Sequence, residues 1–323
     1  MTPTSRSTEG RDAPVLGVQH SRLEVPMPRG ACDCHVHVFG AAGQYPFAAN
    51  RTFMPSPATV DDLIAFQTAL DLDRAVIVQA SPQGTDTRCL TDTLTELRQR
   101  GREARGVAVV RTDATSAELR ALHAAGVRGL RVNLQSFGIT APEAAREQLR
   151  AAARVAGSMG WHVQIYAQLH VIGELADVLG DVGVPVVIDH FGLAHASDGL
   201  SQKGFPELLA LVKAGNVWVK LSAPYRIIQH PLGDDGVSIA RALIDARLDH
   251  MLWGTDWPHT NPAADIPRLR DRPEPLRPVD DGAQFNIFTR WTSAHERERI
   301  LVHNAAHLYG FADASSDVRN GPP

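Results

Sequence analysis

No stretch of this sequence strings together the roughly 20 apolar residues that a membrane-spanning helix needs. None gathers its cationic residues into a basic block either; the 32 Lys+Arg are mostly Arg, lie scattered, and are outnumbered by 36 Asp+Glu. A net charge of -4 with a pI near 6.4 leaves nothing to neutralise a run of phosphates, so nucleic-acid binding is not expected. Residues 1–20 are polar, with Ser, Thr and Arg and no apolar segment of the signal-peptide kind, so neither secretion nor a membrane anchor is expected. Cysteine is scarce too. Three residues (Cys32, Cys34, Cys89) form an odd set that suggests no disulfide framework, and a reducing cytoplasm is the simpler setting. Finally, no Gly-rich dinucleotide loop follows an early strand, which weighs against an open doubly wound sheet.

What is present is a repeat of another kind. Short β-rich apolar runs alternate with amphipathic helical patterns, the sign of successive βα units around a parallel sheet. Eight strands are expected: Ala31–Val38, Arg74–Gln79, Gly106–Val110, Val127–Leu134, His162–Ala167, Pro185–His190, Val217–Ser222 and Met251–Trp257. Helices fall between them, among them Thr59–Leu70, Ser116–Ala125, Pro142–Met159 and Phe205–Ala214. A last helix starts at Ser293 with Glu296 as a capping box and stops at Gly310. Eight such units in 323 residues with 44% hydrophobic content predict a single-domain (β/α)8 TIM barrel over 25–312. Disordered tails are expected at 1–24 and 313–323, and the proline-rich 257–282 segment reads as a long loop after strand eight.

Barrel enzymes carry their chemistry at the carboxyl ends of strands. Here those ends are polar beyond what packing requires. Strand one ends His35-Val36-His37, strand two leads into Ser81, and strand four bears Arg131 and Asn133. Strand five bears Gln164 and Tyr166, strand six ends Asp189-His190, and strand eight ends Thr255-Asp256-Trp257-Pro258-His259. Period-two alternation in strand one places Asp33, His35 and His37 on one face, expected to be the lumen, and turns Cys32 and Cys34 away from it. Arg128 alternates away from Arg131. A carboxylate that can take a proton from water, beside imidazoles that can polarise a carbonyl, suits ester or amide hydrolysis.

Five segments carry a resemblance: Asp33-Cys34-His35-Val36-His37-Val38-Phe39-Gly40, Tyr45-Pro46-Phe47, Gly126 through Asn133, Ile188-Asp189-His190-Phe191-Gly192, and Trp253 through His259. Together they resemble the amidohydrolase-2 branch of the amidohydrolase superfamily, in particular its pyrone lactonases and related lactone hydrolases, over about residues 30–312. The resemblance implies a lactonase, a hydrolase of carboxylic ester bonds serving aromatic or sugar-acid catabolism. In that reading Asp256 is the general base on water, and His35, His37 and His190 polarise the lactone carbonyl. Ser81, Tyr166, Arg131 and Arg226 match substrate-contacting positions, with His259 at the mouth. Arginine suits a carboxylate through its bidentate geometry.

Metal-bearing members add a Lys or Glu on strand four and a His on strand five, where this chain has Arg131, Asn133, Gln164 and Tyr166. A two-metal site is therefore not expected and metal-independence is preferred; the alternative is a single Zn²⁺ held by His35, His37, Asp256 and His190. The pyrone lactonases also carry a basic pair beyond the strand-four Arg, where this chain reads Gln135-Ser136-Phe137. A sugar-acid lactone, a muconolactone or another monocarboxylate thus stays open as substrate. Rival readings are a lactone isomerase or a metal-dependent decarboxylase on the same fold, and a non-catalytic acid- or lactone-binding protein.

Overall fold

The computed structural model describes residues 14–228, 235–260 and 267–312. Eight parallel strands follow one another around a single sheet in chain order. They are β1 (Cys32–Val36), β2 (Arg74–Val78), β3 (Glu103–Ala108), β4 (Val127–Asn133), β5 (His162–Tyr166), β6 (Val186–Ile188), β7 (Val217–Ser222) and β8 (Met251–Gly254). The ring closes just beyond β8. The Asp256 N–H donates to the His35 carbonyl at 2.9 Å, and the His37 N–H donates to the Trp257 carbonyl at 2.8 Å. This is the expected (β/α)8 TIM barrel in one domain. Among the described residues, no helix is long and apolar enough to cross a membrane.

The helices are α1 (Val60–Ala69), α2 (Arg88–Gln99), α3 (Ser116–Ala125), α4 (Pro142–Met159), α5 (Leu169–Glu174), α6 (Ala176–Leu179), α7 (Phe205–Ala214), α8 (Val237–Ala246), α9 (Asp281–Trp291), α10 (Ala294–Glu298) and α11 (Asn304–Tyr309). Their starts follow from local chemistry. Thr59 with Asp62, Thr115 with Glu118 and Ser293 with Glu296 each form a reciprocal capping box that satisfies first-turn N–H groups. Pro142 opens α4, where its missing N–H costs nothing, and Gly160 closes it in the left-handed region at φ 66°. The helix expected from Ser293 is interrupted by a π turn, Arg299–His303, before α11.

Strand one departs from simple alternation. Cys32 pairs with Arg74 and Asp33 with Ala75, but Val36 pairs with Ile77, so the register slips by one residue between Asp33 and Val36. The slip corrects the expected face assignment. Cys32 and Cys34 lie inside the barrel, packed with Val76, Val78, Val107, Val187, Trp218 and Leu252. Tyr309 and Phe311 join this cluster from the end of α11. Asp33 is turned into the seam with β8. It accepts from the backbone N–H groups of His35 (3.0 Å) and Thr255 (3.0 Å) and from the Thr255 hydroxyl (2.6 Å). Past the slip, His35 and His37 point into the mouth.

The expected N-terminal tail is also corrected. Residues 14–24 are placed against α9: the Ser21 N–H donates to Asp280 at 2.8 Å and the Glu24 N–H to Asn286 at 2.9 Å. These bonds give the polar segment a partner that composition alone does not reveal. Residues 1–13 and 313–323 lie outside the described residues.

Candidate active site

Asp256 stands at the centre of the mouth. It follows β8 in the left-handed region (φ 73°), as do His190 after β6 (φ 51°) and Ala223 after β7 (φ 49°). Such backbone costs of order 1–3 kcal/mol per non-glycine residue and persists where the surroundings over-determine it, commonly at functional sites. Here it turns Asp256 and His190 towards one point. Asp256 Oδ1 lies 3.4 Å from His37 Nε2, 3.6 Å from His35 Nε2 and 3.8 Å from His190 Nε2. All four side chains are almost fully buried.

The far nitrogens of the rings are each engaged behind the site. His37 Nδ1 donates to the Val78 carbonyl at 2.7 Å, since a carbonyl can only accept. A neutral His37 therefore presents a bare Nε2 lone pair to Asp256. His35 Nδ1 lies 3.2 Å from Asp189 Oδ1, and His190 Nδ1 lies 2.8 Å from the Ser222 hydroxyl. Burial pushes His35 well below its ordinary pKa and His190 down to about 4, so both rings are neutral near pH 7. Burial works against ionising Asp256. Arg226, His190 and His37 outweigh it and hold the carboxyl well below the usual range.

Asp256 Oδ2 is held from the other side. Arg226 Nη2 donates to it at 2.6 Å and the Tyr225 hydroxyl at 2.8 Å. Both come from a short 3-10 turn, Pro224–Arg226, after β7. Arg226 Nη1 reaches the Tyr166 hydroxyl at 3.5 Å. His259 is anchored by Asp281, Nε2 to Oδ2 at 2.9 Å, and its Nδ1 lies 3.3 Å from the Tyr225 hydroxyl. Arg131 donates from Nη1 to the Gln79 carbonyl at 3.0 Å and places Nη2 3.6 Å from Asp189, while its buried Nε has no partner among the described residues. Arg131 and Ser81 line a cavity of about 730 Å³ that extends past Asn133 to Phe137. Phe137 is 43% exposed.

Below this layer lies a charged network that the reading of the sequence missed. Lys220 on β7 is fully buried, donating to Gln164 Oε1 at 2.7 Å and lying 3.3 Å from His35 Nδ1 and 3.5 Å from Asp189. Gln164 in turn donates to Asp189 at 3.0 Å. Burial pushes the Lys220 ammonium down from its ordinary pKa against the pull of Asp189. Burial likewise opposes ionisation of Asp189, yet contacts from His35 and Lys220 hold that carboxyl well below the usual range. One signal was available. The chain has three lysines (Lys203, Lys213, Lys220), and only Lys220 interrupts an apolar strand, in phase with Trp218 and Ser222.

The structure thus brings His35, His37, His190 and Asp256 to one point, with Arg226 and Tyr166 beside them, Arg131 and Ser81 on the cavity side, and His259 one residue removed through Tyr225. The sequence pattern of the amidohydrolase family matches residues 32–311. The chain belongs to the amidohydrolase family. Among curated members it is 34% identical to 2-pyrone-4,6-dicarboxylate hydrolase of Comamonas testosteroni, over 90% of this chain and 93% of that one. It is 31% identical to 4-sulfomuconolactone hydrolase of Hydrogenophaga intermedia, over 91% and 94%. A crystal structure of a putative 2-pyrone-4,6-dicarboxylic acid hydrolase from Pseudomonas putida is 33% identical and superposes with a TM-score of 0.72, covering 87% of this chain and 97% of that one. That structure shares the fold described above over the 87% of this chain that it covers.

Proposed function

We propose that this amidohydrolase hydrolyses a lactone of a small carboxylic acid, with Asp256 as general base. The observation that carries the reading is the buried Asp256 Oδ1 facing three imidazoles at 3.4–3.8 Å. Asp256 takes a proton from water as the new C–O bond forms at the lactone carbonyl. The charge developing on the carbonyl oxygen needs N–H donors. His190 can supply one while neutral, because the Ser222 hydroxyl can donate to its Nδ1 and leave the hydrogen on Nε2. His37 supplies one only as an imidazolium, since its Nδ1 hydrogen is committed to Val78. The ring C–O bond then breaks and the leaving oxygen takes the proton from Asp256. In this reading Arg131, whose Nε has no partner among the described residues, and Arg226 hold the substrate carboxylate.

The same atoms fit a divalent cation. His35, His190 and Asp256 offer ligand atoms within 4.8 Å of one another, and a neutral His37 adds its Nε2 lone pair. A bound metal would act there as a Lewis acid on the carbonyl. The proton transfers above are the work of this chain's own side chains.

The test is turnover of a panel spanning 2-pyrone-4,6-dicarboxylate, 4-sulfomuconolactone and sugar-acid lactones, read by proton release, with ¹⁸O-water to separate hydrolysis from isomerisation. Asp256→Asn is expected to lower kcat by about 10³-fold or more with the fold intact by circular dichroism, as loss of an essential base should. Activity within about tenfold of wild type would remove Asp256 from that role.

A further inference from the structure

The reading of Asp256 as base leaves Tyr225, His259 and Asp281 unexplained, and these three form a continuous chain leading from its Oδ2. All are buried. Asp281 Oδ2 sits 2.9 Å from His259 Nε2, His259 Nδ1 sits 3.3 Å from the Tyr225 hydroxyl, and that hydroxyl sits 2.8 Å from Asp256. Around the chain, His20 Nδ1 is 3.9 Å from Asp281, and the guanidinium groups of Arg277 and Arg226 lie 4.8 and 5.4 Å over the Tyr225 ring.

Hydrogen-bond direction follows from the end of the chain. A carboxylate only accepts, so Asp281 holds the imidazole hydrogen of a neutral His259 on Nε2 and leaves Nδ1 as an acceptor. The Tyr225 hydroxyl then has two acceptors on either side of it, Asp256 Oδ2 and His259 Nδ1. It donates to Asp256 while that group is a carboxylate. When Asp256 Oδ1 has taken the proton of water, Oδ2 becomes a weaker, carbonyl-type acceptor that Arg226 still holds at 2.6 Å, and the hydroxyl can turn to His259 Nδ1 instead. Both forms of the base are satisfied without moving a heavy atom, which is the condition for a low-cost proton transfer in a buried site.

We propose that Asp281 is a positioning residue that, through His259, provides the Tyr225 hydroxyl with a second acceptor and so lets its hydrogen bond to Asp256 follow the protonation of that base. The proposal rests on Asp256 being the base, but its first test does not. ¹⁵N-imidazole NMR of the full chain, with the His259 signal assigned by loss in His259→Gln, should show the hydrogen on Nε2 in wild type. In Asp281→Asn it should move towards Nδ1. A wild-type His259 carrying its hydrogen on Nδ1 would overturn the assignment, whatever the enzyme turns over.

The kinetic test uses whichever lactone of the panel is hydrolysed. Asp281→Asn should lower kcat about tenfold, the scale of one misdirected buried hydrogen bond, and change KM less than about threefold. In a Tyr225→Phe background the same substitution should cost less than about twofold, because the effect has no other route to Asp256. Equal losses in both backgrounds would mean that Asp281 merely holds the start of α9. If Asp281→Asn does not fold, His259→Gln takes its place in the cycle with the same two outcomes.

Discussion

Replacing Lys220 with Met tests whether the network beneath the imidazoles is held by charge. The ammonium is fully buried, 3.5 Å from Asp189, and donates to Gln164 at 2.7 Å. Met fills nearly the same space, so packing is kept and the lost quantity is the charge. Asp189 would retain the Gln164 amide at 3.0 Å and Arg131 at 3.6 Å, but no ammonium. Breaking one side of a buried pair costs about 3–5 kcal/mol, because the other charge stays buried without its counterpart. At about 2 °C per kcal/mol, the lower end expected for a chain longer than 250 residues, the melting temperature should fall by roughly 6–10 °C. Adding Asp189→Asn to Lys220→Met removes the stranded charge and should recover part of that loss. Differential scanning fluorimetry at pH 7 on the two single variants and the double reads both effects. A Lys220→Met protein melting within about 2 °C of wild type, with no recovery in the double variant, would mean that the lysine is neutral in the fold and that the charge argument fails.

Two further predictions follow from single residues. Burial, opposed by its three hydrogen bonds, pushes Asp33 up to about 7. The native state therefore keeps a proton that the unfolded chain loses near pH 4, so this stabilisation is present at low pH and lost as pH rises towards 7. The stability deficit of Asp33→Asn should be larger at pH 5 than at pH 7 by about 2 kcal/mol, measured by urea denaturation; equal deficits would refute the assignment. Arg131→Met should raise KM for a carboxylated lactone by about 10- to 100-fold, the worth of a charge-assisted hydrogen bond, with a smaller effect on kcat. The methyl ester of the same lactone should show no such rise. If it does, the arginine is not reading the carboxylate.

Much of this was legible in the chain because it is periodic. The βα repeats led to the barrel, and polar residues at apolar strand ends led to His35, His37, His190 and Asp256, which the fold does gather at one point. Strand one exposed the limit of periodicity. A one-residue register slip leaves no mark on composition, yet it moves Cys32 and Cys34 into the lumen and Asp33 into the seam. Lys220 was missed for a different reason: a lysine in a strand is ordinarily a surface residue, and only the enclosure of β7 by its neighbours makes it an interior charge. Asp281 could not be found at all from spacing. Its partner His259 is 22 positions away across a proline-rich segment whose path no local pattern fixes.

The seam of the barrel and the candidate active site are one place, and this bears on how the protein comes into being. Asp33 meets Thr255 across 222 positions of chain, and His35 and Asp256 bond through their backbones beside it. Contacts of such separation carry a large loop-closure cost and form late, after the local βα units are in place. A truncated or partly folded chain can hold most of its strands and still have no juxtaposed imidazoles and carboxylate. Recovery of turnover during refolding would then lag recovery of helical signal, so that activity serves as a clock for the last joint of the barrel.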